Sequence, residues 1–174
     1  TAALVAAVLV SYPILRGAGM VPTAEIAALS ESISADRAQS LSFRLDNEDI
    51  LLARASEKPL AGWGGWGRSR VWDEFGNDIS ITDGIWIILV GSSGWLGYIA
   101  QFGLLTAPVF LLLAGGRKYS ISLATSGLCL VLAANLIDMI PNATLTPLTW
   151  LVSGALMGRV STYQQAGQRS QSVG

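Results

Sequence analysis

Histidine is absent from this chain, and cysteine occurs once, at Cys129. The first absence excludes a histidine metal site and a histidine general base. The second excludes an internal disulfide, and a lone thiol in an apolar run fixes no redox compartment. Charge is scarce as well. Asp, Glu, Lys and Arg make up 13% of the 174 residues and balance to a net charge of -1, so no basic field draws the chain to nucleic acid. What is abundant is apolar: 51% of residues are hydrophobic and the mean hydropathy is +0.49. That balance predicts an all-α, polytopic helical membrane protein rather than a soluble domain.

Four apolar segments are expected to span: Ala2 to Leu15, Gly84 to Ala114, Ile121 to Ile140, and Leu145 to Met157, the last interrupted by Pro147 and Gly154. The second is long enough to tilt or to break. As a helix the first covers about 22 Å, short of the roughly 30 Å hydrocarbon core. The chain opens on Thr1 with no basic stretch before the apolar run, so it does not read as a signal peptide. It reads as a fragment whose first, truncated span is 1–15, followed by a polar loop over 16–83, three spans over 84–158 and a tail over 159–174.

Orientation follows from the short connections. Arg117 and Lys118 lie between the second and third spans, and Arg159 and Arg169 follow the fourth. The positive-inside rule puts these in the cytoplasm and the long polar loop outside, in the periplasm of a Gram-negative source. The tail QQAGQRSQSVG is expected to be disordered. In the loop, Thr23 after Pro22 starts one helix, with Ile26, Leu29 and Ile33 forming an apolar stripe. A second helix starts near Asp36, and Asp46 with Asp49 suggests a further start. Such short amphipathic helices lie on the membrane surface or on the spans.

The loop ends in KPLAGWGGWGRSR, Lys58 to Arg70. Gly62, Gly64, Gly65 and Gly67 permit tight turns and close backbone approach. Trp63 and Trp66 offer faces for sugar rings, and Arg68 and Arg70 offer forks for phosphates. The pattern suggests a site for a charged, sugar-bearing molecule beside a membrane. The other reading is an interfacial tryptophan belt. No Lys-Ser/Thr follows the glycines, so this is not a nucleotide loop. Arg37 and Arg44 are seven apart and share a helix face about 10.5 Å apart, suited to a diphosphate. Alternatively Arg44 pairs with Glu48 at i+4. Arg54 and Lys58 would repel unless an anion lies between them. Asp46, Glu48 and Asp49 match no cation loop and read as helix-start acids. Asp83 stands at the mouth of the second span and Asp138 near the outer end of the third. Asp83 can serve as a general base or as a cap, and Asp138 reads as structural. Gly91, Ser93, Gly94, Gly97 and Gly103 form a small-residue face suited to close helix packing. Asn142-Ala143-Thr144 matches a glycosylation sequon that matters only in a eukaryotic secretory setting.

The stretch from Arg44 through DILLARASEKPLAGWG to TDGIWIILVGSSGWLG resembles the C-terminal half of the O-antigen ligase and polysaccharide polymerase family. These are multi-span glycosyltransferases of the bacterial inner membrane. Pro59, Leu60, Gly62 and Gly64 match the family's Pro-Leu-x-Gly-x-Gly turn, Gly94 and Gly97 its later Gly-x-x-Gly, and Trp86 its aromatic. The resemblance covers about Arg37 to Leu113. Asp83 stands where the family carries a histidine.

The resemblance implies transfer of a glycan from an undecaprenyl-diphosphate carrier to an acceptor. Arg44 and Arg37 would hold the diphosphate, so that neither a metal nor another cofactor is needed. Asp83 would accept the acceptor's proton. Trp63 and Trp66 would line the sugar path, and Arg54, Gly62, Gly64, Arg68 and Arg70 are further substrate-binding candidates. The alternative is a non-catalytic subunit of a larger membrane complex, with the loop docking other membrane subunits and the tryptophans as anchors. In both readings the surrounding lipids are partners.

Overall fold

In the computed structural model, residues 1–65, 67–116 and 119–172 are described, the last six by backbone alone. Among them are six helices and no strand: α1 (Ala2–Gly17), α2 (Thr23–Ile33), α3 (Ala35–Ser56), α4 (Ile85–Gly115), α5 (Leu123–Asp138) and α6 (Pro147–Ser172). The all-α expectation holds. Of the four expected spans, only α4 is both long and apolar enough to cross a membrane. α1 and α5 are apolar but shorter, and α6 runs on into polar sequence.

The core follows from the spacing of apolar residues. On α4, Tyr98, Phe102, Leu105, Val109 and Leu112 are buried at alternating intervals of four and three, one stripe of a helix. Leu132 and Leu136 of α5, Leu156 and Val160 of α6, and Ala6 and Leu9 of α1 meet that stripe. α1 and α6 each pack on both α4 and α5, closing a four-helix ring in the order α1, α4, α6, α5. Polar ties cross it: the Tyr98 hydroxyl donates to the Val10 carbonyl at 2.9 Å, and Ser153 donates to the Leu105 carbonyl at 3.1 Å. α3 packs on α4, and α2 on α3. The α2 stripe of Ile26, Leu29 and Ile33 stays exposed, as do Leu4, Val8, Leu96 and Ile99 around the ring.

α4 is broken at Gly94, whose φ of 67° and ψ of -174° belong to glycine alone. A break leaves carbonyls unpaired on one side and amides unpaired on the other. Two groups of each set are satisfied by the segment 59–64. Trp63 and Gly64 donate their amides to the carbonyls of Gly91 and Ser92 at 2.8 and 2.7 Å. In return, Trp95 and Leu96 donate to the carbonyls of Pro59 and Leu60 at 2.8 and 3.3 Å. The backbones touch: a Cβ on Gly62 would lie 2.5 Å from the Ser92 carbonyl carbon, and one on Gly94 would strike Leu60. Gly94 therefore seats this strap, and Gly91 lies against the Ser69 side chain. They do not pack helix to helix as the small-residue face suggested.

Three local expectations change. α3 runs unbroken through Asp46 and Asp49, so these acids start no helix. The tail continues α6 to Ser172 rather than leaving helical structure at Gln164. Between the strap and α4 lies a hairpin not foreseen from sequence. Trp72 and Asp78 bridge antiparallel, and the Asp73 carboxylate accepts from the amides of Phe75 and Asn77 at 2.9 and 2.7 Å.

Candidate active site

Arg44 lies on α3 and Asp83 in the extended approach to α4. The Asn47 carboxamide accepts from the Ile81 amide at 2.9 Å and fastens that approach to α3. The amide of Ile85 donates to the carbonyls of Met139 and Asn142 at 3.3 and 3.2 Å, fixing the start of α4 against the α5–α6 turn. Asp138 holds that turn by accepting from Asn142 and Thr144, in keeping with a structural role.

These ties bring Arg44 Nε to 3.8 Å from Asp83 Oδ2, with both side chains nearly half exposed. The pair lines a cleft of about 390 Å³ with Gln39, Ser40 and Phe43. Arg37 and Arg44 together line an adjoining cleft of about 370 Å³ with Asp36, Ser40 and Leu41. The shared face expected from their spacing is present, and Arg44 and Ser40 belong to both clefts.

Arg44 does not pair with Glu48 because Glu48 is otherwise engaged. Its Oε2 accepts from the Tyr12 hydroxyl at 3.1 Å and lies 3.3 Å from Arg16 Nε. Arg16 is buried and also reaches Asp49 at 2.9 Å and the Leu45 carbonyl at 3.1 Å. Burial pushes the Glu48 carboxyl above its ordinary value, while Tyr12 and Arg16 pull it down. Sequence reasoning passed over Arg16. Its only signal was a lone charge at the end of an apolar run, a place where a buried partner is the usual requirement.

The Gly/Trp turn behaves differently from the expectation. Gly62 and Gly64 belong to the strap: Gly62 is pressed on the α4 break, and Gly64 is tied to it by its amide. Trp63 donates its indole N–H to the Arg54 carbonyl at 2.9 Å. Its ring is covered by Arg54, with the guanidinium carbon 3.4 Å from the centroid, and by Lys58 with its ammonium at 4.1 Å. The repulsion between Arg54 and Lys58 is thus relieved by an indole face and by the chain's own Glu57, 2.9 Å from Arg54. Arg68 Nε donates to the Gly65 carbonyl at 3.1 Å and remains exposed. Arg70 pairs with Asp78 at 2.6 Å. Trp66, Arg117 and Lys118 lie outside the described residues.

The arrangement thus offers two arginines and a carboxylate on open clefts at one end of a helical ring. Among the described residues, no three His, Cys, Asp or Glu side chains gather as a metal site. Comparison of the chain with protein-family models, with curated proteins and with solved structures finds no match.

Proposed function

We propose that this chain is part of a polytopic inner-membrane glycosyltransferase of the O-antigen ligase and polymerase type, working on an undecaprenyl-diphosphate-linked glycan. The observation that carries the reading is the meeting of Arg44 and Asp83 on a cleft continuous with Arg37. The apolar residues exposed around the ring favour a lipid setting for α1, α4, α5 and α6. In that setting the clefts sit on the periplasmic side and the C-terminus is cytoplasmic.

The chemistry follows from the side chains. Arg44 and Arg37 bind the diphosphate and neutralise the charge that develops as the anomeric C–O bond breaks. The acceptor hydroxyl oxygen attacks the anomeric carbon, and its proton passes to Asp83. An exposed ion pair is worth about 0–1 kcal/mol, so an incoming diphosphate can take Arg44 away from Asp83 and leave the carboxylate free as a base.

The rival reading, a non-catalytic subunit, draws on the Gly/Trp turn, where Gly62, Gly64 and Trp63 are engaged within the chain. Asp83→Asn keeps shape and removes the base. In membranes supplied with lipid-linked glycan it should lower transfer by about 100-fold or more, with Asp83→His restoring part of it. Full activity in Asp83→Asn removes Asp83 from the mechanism. No transfer by wild type or Asp83→His, with the whole protein present, makes the subunit reading the better one.

A further inference from the structure

The covering of Trp63 removes one of the indole faces expected for the glycan, and the hairpin supplies another. Trp72 is 53% exposed. It forms one wall of a cleft of about 580 Å³ whose other walls are Ile50, Ala53 and Arg54 of α3 and Glu57 just past its end, together with Arg70 and Val71. Pockets for small ligands run from about 300 to 1,000 Å³. The polar groups around the indole occur as fixed pairs: Arg54 with Glu57 at 2.9 Å, and Arg70 with Asp78 at 2.6 Å.

From this we infer that the cleft between α3 and the hairpin is a carbohydrate subsite, with Trp72 as the stacking face and the Arg54–Glu57 pair together with Arg70 as its hydrogen-bonding rim. A pyranose ring has an apolar C–H face that packs on an indole and a rim of hydroxyls, each both donor and acceptor. A simple anion site would present donors alone. Here guanidinium donors and carboxylate acceptors are held side by side, which is what hydroxyls need. Arg54 is held by the Trp63 face as well as by Glu57, so little of its side-chain entropy is lost when a sugar docks. The inference deepens the glycosyltransferase reading and rests on it for the identity of the polymer. The cleft shares α3 with Arg37 and Arg44, so a glycan held by Trp72 lies along the same helix as the diphosphate site.

The test uses the full protein in lipid nanodiscs on an array of bacterial surface polysaccharides and their repeat-unit oligosaccharides. Wild type should bind at least one glycan. Trp72→Ala should weaken that binding at least 10-fold, and Trp72→Phe should keep most of it. Trp72 is exposed, so its loss should not unfold the chain, and an unchanged melting temperature checks this. Absence of binding by wild type, or equal binding by Trp72→Ala, overturns the subsite. Transfer that survives Trp72→Ala with an unchanged KM for the glycan overturns the subsite and leaves the enzyme reading standing. Trp72-dependent binding without any transfer overturns the enzyme reading and leaves the subsite standing.

Discussion

Arg44 and Glu48 show how residue-scale chemistry is decided by a third group. At i,i+4 on one helix they are natural partners. Arg16 enters from α1, claims Glu48 and Asp49, and leaves Arg44 to Asp83. No pattern within 35–56 announces this, because the competing cation lies on another helix. The consequence for Arg44→Lys is a separation of effects. Stability should change by less than about 1 kcal/mol, since the pair with Asp83 is exposed. Transfer should fall about 100-fold, as when a fixed donor to developing charge is lost. Wild-type transfer rates in that variant would remove Arg44 from the site.

Glu48 carries a pH signature. Its proton is held more tightly folded than unfolded, so its contribution to stability is full below the ordinary value of 4.5 and is lost as pH rises through the higher folded value. Melting temperature should therefore decline with pH just above 4.5. Glu48→Gln should flatten that decline, and an unaltered slope would show that another group titrates there.

At the scale of elements, the helix positions were legible and their interruptions were not. Thr23 after Pro22 marked α2, and apolar runs marked α1, α4 and α5 to within a few residues. The glycines of 91–97 were visible, but their use was not. A small-residue face looks the same whether a helix or a loop lies against it, and only the strap's backbone bonds decide. Those bonds make a measurable claim. The amides of Trp63, Gly64, Trp95 and Leu96 should exchange with solvent as slowly as helix-interior amides. Gly94→Ala should release all four together and destabilise the protein by about 3 kcal/mol or more, from strain plus collision with Leu60. Gly76→Ala is the contrast. Its φ is +81° but its surroundings are open, so only the backbone strain of about 1–2 kcal/mol applies. Fast exchange at Trp63 and Gly64 in wild type would dismiss the strap.

For the whole molecule, composition indicated helices, and spacing indicated which face of each is buried. Neither could order them into a ring, because ring order depends on which apolar stripes meet. Nor could it place the hairpin, whose Trp72 and Asp78 pair through backbone alone. If the ring sits in a bilayer as proposed, its two ends face different compartments. With Cys129 replaced by Ser, an impermeant thiol reagent applied from outside should label a cysteine at Glu74, on the hairpin, and spare one at Gln165, late in α6. Labelling in the reverse pattern would invert the orientation and take the site with it, and labelling of both would deny the bilayer setting.

The exchange of hydrogen bonds between 59–64 and 91–96 also constrains how such a chain can change over generations. A side chain gained at position 94 has no compensating change at position 60, because what it strikes there is main chain. Tolerated variation should therefore avoid both ends of the contact while running freely through the hairpin tip at Phe75, which touches neither. Recombination with a breakpoint between 64 and 91 would join a strap to a break it was not shaped to fill. The polar segment and the helix behind it should thus be inherited as a single cassette, even though one reads as loop and the other as span.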